Sequence, residues 1–437
     1  MKRIAITLFS ITILCMLTKL SAQDINTSQK KDSIVVATPK FSGLQLGGYG
    51  EAVYSRNFYS GDTYRYQYPE KHKDYKHGRI DLPHIVFFIG YEFGNGWKMN
   101  SEIEFEHGGV GAAMEYEADE GGEYETEVER GGEVVIEQFW LEKTFSRALN
   151  IRVGHIIVPV GFTNGNHLAT QFFTSFRPEG ENTIIPCTWH ETGISVWGRV
   201  GDWRYEAMVL PALDADLFRN DRWIGSASAS PYEFRIANKL AGAARIDNYS
   251  VSGLRLGVSG YYGHSFKNSL VPSQQVRYEK VKGAVSIGSF DFEYNNHNLI
   301  ARGYFNYGKL GDAALINTYN RNLGKLSPSS RTAIGSNALA TAVEVGYDIF
   351  SFIKAGSLKN KQLYLFGRYD YYDSMFKVPE NVMDEKQWER HCYVGGINFF
   401  PIKEIVIKAE YSYRKLAERY NDESAIIFSI AYSGFFK

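Results

Sequence analysis

The sequence has few cysteines, few prolines and no long apolar run after its first 20 or so residues. Its 437 residues include three cysteines, too few for the disulfide framework of a small secreted domain. No segment beyond the amino terminus reaches the ~18 uninterrupted apolar residues of a membrane-spanning helix. Basic and acidic residues nearly balance, at 48 and 49, which excludes the strongly basic surface typical of nucleic-acid binding.

Signatures of catalysis and cofactor binding are also missing. The sequence contains no nucleophile elbow, phosphate-binding glycine loop, HExxH zinc motif or dinucleotide fingerprint. We therefore expect a protein that is not an enzyme and that has no cofactor.

The amino terminus has the pattern of a secretory signal peptide over residues 1–22. Lys2 and Arg3 precede an apolar stretch from Ile4 to Leu17, and a small-residue cleavage site ends at Ala22. The stretch is shorter than the ~20 residues of a spanning helix. Residues 23–43 then read as a short, polar periplasmic segment, and no linker divides the chain from residue 44 to 437.

From residue 44 onward the chain repeats segments of about ten residues in which apolar and polar side chains alternate, the period of a half-buried strand. Sixteen such segments occur, at 44–56, 81–93, 97–107, 133–145, 149–159, 191–199, 203–213, 237–247, 253–264, 285–294, 299–307, 339–350, 362–374, 388–400, 405–414 and 424–436. Alternation is weakest at 133–145 and 285–294, so fourteen or eighteen strands remain alternatives.

Short and long connections follow these segments in turn. Gly94-Asn95-Gly96 and Gly201-Asp202 are tight turns, whereas 57–80, 108–132 and 160–190 are long and mostly polar. Short periplasmic turns, long external loops and a high aromatic content of 15% are typical of transmembrane β-barrels. The sequence therefore predicts an all-β, antiparallel barrel of about sixteen strands in the outer membrane of a Gram-negative bacterium.

Alternation also assigns side chains to the lumen. In the segment 405–414, Ile405, Ile407 and Tyr411 fall on the lipid-facing side, and a one-residue slip would expose charges to lipid. The charged residues predicted to line the lumen wall are Glu51, Glu102, Glu104, Arg152, Arg255, Arg302, Arg368, Asp370, Lys408 and Arg414. Both signs are present, so we expect a wet lumen with weak ion selectivity.

The third external loop, at 160–190, is less polar than an exposed loop should be. It carries Phe172, Phe173, Ile184 and Ile185. Because a sixteen-stranded lumen is too wide for side chains to fill, we expect this loop to fold inward and narrow the channel. An external cap or a subunit contact is the alternative. The predicted constriction residues are Arg177, Glu179, Glu181 and His190.

A second loop, at 113–131, is strongly acidic, with nine carboxylates and Arg130 over residues 115–133. Its field would attract cations or cationic solutes. A solvated acidic loop is the simpler interpretation. The alternative function for the whole chain is a structural or interaction barrel whose acidic loop binds a partner, cations or lipopolysaccharide.

Metal and disulfide sites are not expected from spacing alone. His72, His77 and His84 are irregularly spaced and have no cysteine or ordered carboxylates beside them, so no metal site is predicted. Cys187 lies in the 160–190 loop and Cys392 on a lumen-facing position. A bridge between these two cysteines remains open.

With the strands placed, the mature chain resembles the phosphate-selective porin O and P family. The resemblance is carried by LGGYGEAVY at 46–54, NSEIEFEHGG at 100–109, IRVGHIIVPVGF at 151–162, the stretch 176–193, LYLFGRYDYYD at 363–373 and VGGINFFPIKEIVIKAEYSYR at 394–414. It implies a trimeric, passive diffusion channel in contact with outer-membrane lipid and lipopolysaccharide. This chain departs from the crowded basic constriction of the family, since Arg177 lies beside Glu179 and Glu181. We therefore expect a weakly selective porin for small hydrophilic solutes or ions, including anions such as phosphate.

Overall fold

Alternating segments of this length form strands, and the computed structural model contains all sixteen that the sequence predicts. It describes residues 43–62, 64–71, 73–109, 112–117, 123–129, 132–228, 235–269, 275–323, 332–353, 356–358 and 360–436. The predicted signal peptide at 1–22 and all of the 23–43 segment except Gly43 lie outside these residues.

The elements follow one another along the chain in an almost all-strand order. The strands are β1 (Leu44–Asn57), β2 (His77–Asp81), β3 (His84–Gly94), β4 (Trp97–Glu106), β5 (Ala112–Glu117), β6 (Glu123–Glu129), β7 (Glu133–Ser146), β8 (Leu149–Ile157), β9 (His190–Val200), β10 (Trp203–Pro211), β11 (Leu240–Asn248), β12 (Leu254–His264), β13 (Ala284–Asn296), β14 (Leu299–Leu310), β15 (Asn337–Asp348), β16 (Gln362–Lys377), β17 (Glu389–Ile402), β18 (Ile405–Lys415) and β19 (Glu423–Phe436). The α-helices are α1 (Tyr64–Gln67), α2 (Glu179–Ile184) and α3 (Ala313–Leu323).

One antiparallel sheet closes on itself to form a barrel. Its last strand returns to its first, since β19 pairs with β1 from Leu46 opposite Phe436 to Asn57 opposite Ala425. Closure leaves no unpaired edge, as a barrel in lipid requires. The predicted barrel of sixteen strands is thereby confirmed.

The second barrel strand is interrupted, which the sequence pattern did not show. Strand β2 pairs with the external half of β1, and β3 pairs with the other half. Between them lie Leu82 and Pro83. Proline has no N–H to donate to the ladder, so the strand breaks here and resumes at His84.

Short turns close one end of the barrel, as predicted. Between β3 and β4, Asn95 and Gly96 have φ values of 51° and 76°. A two-residue hairpin turn with positive φ at both positions matches the twist of the flanking strands. Asn-Gly is a sequence that accepts this turn at low cost.

The two faces of the sheet divide as alternation predicts. On β18, Ile407 and Tyr411 are exposed on the outer face, while Lys408 and Glu410 are buried within the barrel. Exposed aromatic side chains gather near the short turns, among them Phe93, Trp97, Phe145, Trp203 and Phe435. An apolar outer band with aromatic residues at its border is the surface of a membrane barrel.

The external loops contain structure that the sequence did not predict. Strands β5 and β6 pair with each other as a hairpin inside the acidic loop, and α3 lies between β14 and β15. The largest apolar cluster includes Trp189, Trp223, Phe266 and Tyr319, from four different connections between strands. None of the helices in the described part of the chain is long and apolar enough to cross a membrane.

Candidate functional site: the inner loop and the lumen walls

The segment 158–189 between β8 and β9, here the inner loop, is folded into the lumen. Lys408 on β18 holds it by donating from its Nζ to the carbonyl oxygens of Ala169, Phe172 and Thr174, at 2.6, 3.0 and 2.8 Å. An ammonium group has three donors, and here all three are used. The inner loop therefore crosses the lumen from β8 to β18, as predicted, and the alternative of an external cap is wrong.

Further hydrogen bonds fix the inner loop to other strands. The Ser175 N–H donates to Glu410 of β18 at 2.9 Å, and the Asn398 side chain of β17 donates to the Phe173 carbonyl at 3.0 Å. Near the start of the inner loop, the Gly161 N–H donates to the Ser259 hydroxyl of β12 at 3.0 Å. The beginning and the middle of the inner loop are thus anchored on the wall by polar groups.

Glu179, one of the predicted constriction residues, has 36% of its side chain exposed. It pairs with Arg414 and accepts a hydrogen bond from the Tyr372 hydroxyl at 3.0 Å. Burial by itself would raise the pKa of Glu179, but the Arg414 guanidinium outweighs it and lowers the pKa to about 2. Glu179 is therefore a permanent anion beside a permanent cation.

The other predicted constriction residues are further from solvent. Arg177 is buried and donates to the Tyr49 hydroxyl at 3.0 Å and to Glu104 at 3.4 Å. Glu181 is fully buried and accepts hydrogen bonds from the backbone N–H groups of Phe162 and Thr163, at 3.1 and 2.9 Å. Arg177 therefore ties the inner loop to the barrel wall, whereas Glu181 stabilises the fold of the loop from within.

His190 lies apart from the other three. It begins β9 and contacts the imidazole of His155 on β8, which in turn contacts the Thr192 hydroxyl at 3.0 Å. Thr192 and the exposed Ile194 follow at period two from His190, on the outer face of the sheet. His190 therefore shares the outward-facing side of the barrel rather than the constriction.

One side of the lumen carries alternating arginines and carboxylates, here the arginine wall. Arg255 donates to Asp247 and Asp291 at 3.0 and 2.6 Å, and Arg302 bridges Glu293 and Glu344 at 3.2 and 2.9 Å. The wall consists of Arg152, Arg204, Arg245, Arg255, Arg302 and Arg368 with Glu142, Glu206, Asp247, Asp291, Glu293, Glu344 and Asp370.

On this wall the cations reach further into the lumen than the anions. The arginine side chains are 4–23% exposed and their carboxylate partners 0–8%. Each arginine is more exposed than its partner, apart from Arg302 with Glu293, where the two are nearly equal. The surface offered to a passing solute is therefore more positive than the count of charges indicates.

The opposite side is the acidic wall, which consists of Glu51, Glu102, Glu104, Glu106 and Glu137 on β1, β4 and β7. Arg177 from the inner loop is paired with Glu104, and His84 lies 2.7 Å from the same carboxylate. Glu51, Glu102 and Glu104 are buried in the barrel, as their predicted inward orientation requires.

Several wall residues were missed by sequence reasoning. Arg204 and Arg245 occupy inward positions of β10 and β11, and alternation alone could have found them. Glu137 could not be found this way. The β4–β7 ladder slips by one residue between Glu102 and Ile103, so a β-bulge reverses the alternation there. The bulge lies in the segment 133–145, where the alternation in the sequence is weak.

The cysteines are not bridged. Cys187 and Cys392 are both free, and the Cys392 thiol lies 3.1 Å from a Glu179 carboxylate oxygen. The possible disulfide between the inner loop and β17 is therefore absent. The inner loop is instead attached nearby through the ion pair of Glu179 with Arg414 on β18.

Comparisons with known proteins agree with this architecture. No family model matches the chain. An uncharacterized protein of Aquifex aeolicus is 27% identical over 387 residues, which cover 87% of this chain and 77% of that protein.

Solved porin structures share the fold. OmpF of Salmonella typhi, solved in complex with daunomycin, superposes with a TM-score of 0.52 at 9% identity, over 90% of this chain and 97% of that one. OprB of Pseudomonas putida gives 0.51 at 9% identity, over 90% and 94%. The chain thus shares the β-barrel fold of these porins.

Proposed function

We propose that this protein is a porin that lets small hydrophilic solutes and ions diffuse passively through the outer membrane, with weak selectivity. The observation that carries the proposal is the inner loop, which Lys408 and Glu410 fix inside a charged lumen. A barrel of this width needs such a segment to set a size limit. Glu179 and Arg204 are partly exposed within the barrel, which supports a water-filled path beside the inner loop.

The charge arrangement supports a slight preference for anions. Arginines are the more exposed members of the arginine wall, and the resemblance to the phosphate-selective porin O and P family points the same way. However, these arginines already donate to carboxylates, so phosphate has to compete for their N–H groups. Phosphate therefore passes without a dedicated binding site.

Assembly and surroundings follow from the same resemblance. We infer a homotrimer whose outer surface contacts membrane lipid and whose external loops contact lipopolysaccharide. Cross-linking of the refolded protein in detergent should give a trimer. A uniform monomer would remove this part of the proposal.

Liposome swelling tests the proposed function. Refolded mature protein should admit neutral sugars at rates that fall steeply with sugar size. The K408M variant, which loses the clamp on the inner loop, should shift this size limit upward, whereas K403M at the exposed Lys403 should not. Liposomes that stay impermeable to every sugar and ion would contradict the porin.

A structural or interaction barrel is the second candidate. The inner loop packs into a large apolar cluster with the external loops, through Trp189 and Trp223 among others, which favours a closed external end. The acidic hairpin β5–β6 would then be the binding element. No conductance in the intact protein, together with lipopolysaccharide binding that is lost on excision of residues 113–131, would establish this reading.

A further inference from the structure

Three side chains with metal-ligating atoms meet where the inner loop touches the acidic wall. They are Glu102 on β4, Glu137 on β7 and His167 on the inner loop, and one ligand atom of each lies within 4.8 Å of the others. All three side chains are buried, with exposed fractions of 2%, 1% and 6%. Segments distant along the chain thus bring an imidazole and two carboxylates to one enclosed point.

Each of the three has one polar atom held by a neighbour and another free of hydrogen bonds. Glu102 accepts from the Gln138 amide through Oε2, and Glu137 accepts from the Thr188 hydroxyl through Oε1. Their other oxygens, Oε1 of Glu102 and Oε2 of Glu137, are buried without a hydrogen-bond partner. A buried carboxylate oxygen in that condition is costly unless something else compensates it.

His167 shows the same division between its two ring nitrogens. Its Nδ1 lies 2.9 Å from the Asn164 carbonyl oxygen, so that nitrogen carries the proton and donates it. Nε2 faces Oε1 of Glu102 at 3.5 Å. In the neutral ring this nitrogen has a lone pair for a metal ion, whereas a protonated ring forms an ion pair with Glu102. In proteins, a metal-ligating histidine is commonly oriented by a hydrogen bond from its other ring N–H to a backbone carbonyl.

The surrounding charge also favours a cation. The acidic wall also carries Glu51, Glu104 and Glu106 beside these ligands. Arg177 of the inner loop pairs with Glu104 of this wall. Buried carboxylates need positive charge or protons to be stable. One divalent ion would supply two positive charges at the point where the free ligand atoms converge.

We propose that Glu102, Glu137 and His167 bind a divalent transition-metal ion such as Zn²⁺. An imidazole nitrogen with two carboxylate oxygens suits Zn²⁺ or Mn²⁺, whereas Ca²⁺ and Mg²⁺ prefer oxygen ligands alone. Three protein ligands leave a coordination position for water. The spacing of histidines in the sequence predicted no metal site, because His167 joins the two glutamates only after the inner loop has folded.

The ion would fasten the inner loop to the acidic wall. Lys408 clamps residues 169–174 to β18, while the metal would clamp His167 to β4 and β7. Two clamps on opposite sides would fix the width of the constriction. The inference does not depend on the proposed transport function, since an ion can bind whether or not the lumen conducts.

Titration of the chelator-treated, refolded mature protein with Zn²⁺ in a calorimeter tests the proposal. We expect one ion per chain, and a loss of affinity of at least about 100-fold in E137Q and in H167N, because each removes a ligand. T188A, which removes only the hydroxyl that orients Glu137, should cost about tenfold. E206Q, at a buried carboxylate of the arginine wall, and H297N, at an exposed histidine, should bind as the unsubstituted protein does.

Two results would overturn the site. Equal Zn²⁺ binding by E137Q and H167N would place the ion elsewhere, and the absence of binding to the unsubstituted protein would mean that His167 and Glu102 form a simple ion pair. If a ligand variant fails to refold, X-ray absorption of the zinc-loaded unsubstituted protein decides. One imidazole with oxygen ligands supports the proposal, and a sulfur ligand from Cys187 contradicts it.

Discussion

The two sides of the lumen solve the problem of buried charge differently. On the arginine wall every guanidinium pairs with a carboxylate of the same or a neighbouring strand, as Arg368 does with Glu344 and Asp370, and Arg245 also reaches Asp291 two strands away. On the acidic wall, Glu51, Glu102 and Glu137 each keep an oxygen with no hydrogen-bond partner, whereas Asp291 is the one carboxylate of the arginine wall that does so. The first side finds its ion pairs within the sheet and adds a hydrogen bond from Arg245 to the Gly161 carbonyl. The second side takes two of its cationic partners, Arg177 and His167, from the inner loop.

This difference explains what the inner loop stabilises. Arg177 and His167 of the inner loop reach the acidic wall, and the fully buried Lys408 of β18 binds the loop from another side. Buried ion pairs add little net stability but penalise the loss of one partner heavily. Moving the inner loop away would therefore leave Glu102 and Glu104 of the acidic wall without these partners.

The largest effect should come from releasing the inner loop. In K408M, three buried carbonyl groups lose their donor, at a cost of about 1–3 kcal/mol each. We expect a clear fall in the temperature at which the barrel unfolds on heated gels, together with larger and noisier single-channel currents. K403M, at a side chain that is 88% exposed, is the matched control and should behave as the unsubstituted protein. Unchanged currents in K408M would show that the clamp does not hold the loop.

Removing one charge from each wall should change the ion selectivity of the channel in opposite directions. R204Q removes the most exposed cation of the arginine wall, and E106Q removes a partly exposed anion of the acidic wall. Since a unit charge at ~4 Å in water is worth ~1 kcal/mol before screening, we expect the chloride-to-potassium permeability ratio to fall about twofold in R204Q and to rise about twofold in E106Q. Reversal potentials across a potassium chloride gradient measure both. Shifts of the same sign would remove the distinction between the walls.

A smaller effect should appear in the pH dependence of stability. Burial raises the pKa of Glu181 in the inner loop to about 7, from an ordinary value of 4.5. Between pH 4.5 and about 7, Glu181 therefore keeps its proton in the folded protein and releases it in the unfolded chain. Stability from this group is complete below pH 4.5 and is lost as the pH rises through 7.

E181Q tests this prediction, because a glutamine does not titrate. The unfolding temperature of the unsubstituted barrel should fall more steeply than that of E181Q between pH 4.5 and 7.5. E179Q is a useful comparison, because the pKa of Glu179 is held at about 2 and its removal should leave the slope in this range unchanged. Parallel curves for the unsubstituted protein and E181Q would contradict the assignment.

The sequence predicted the fold well because a barrel repeats one local rule. Alternation at period two placed all sixteen strands and the orientation of Glu51, Arg255, Lys408 and Arg414, and the long apolar connection at 160–190 indicated the inner loop. The failures occur where that rule breaks. Pro83 interrupts a strand, and a bulge hides Glu137.

The charge pairs and the candidate metal ligands could not be predicted. Which arginine meets which carboxylate depends on the register of adjacent strands, as with Arg302 and Glu344, directly opposite on β14 and β15. The contact of His167 with Glu102 depends on how a long loop folds in the lumen, and no local pattern encodes it. The sequence predicts His190 at the constriction as a charge of the 160–190 loop, yet His190 begins β9 and faces outward.

Single-channel recording of the refolded mature protein in a planar bilayer tests whether the barrel is a weakly selective porin. With potassium chloride on both sides, we expect stable openings in groups of three equal steps. A gradient of potassium chloride should give a small reversal potential on the anion side, and potassium phosphate should carry current without blocking it. A protein that inserts but never conducts would contradict the account, and strong phosphate block would replace weak selectivity with a specific anion site.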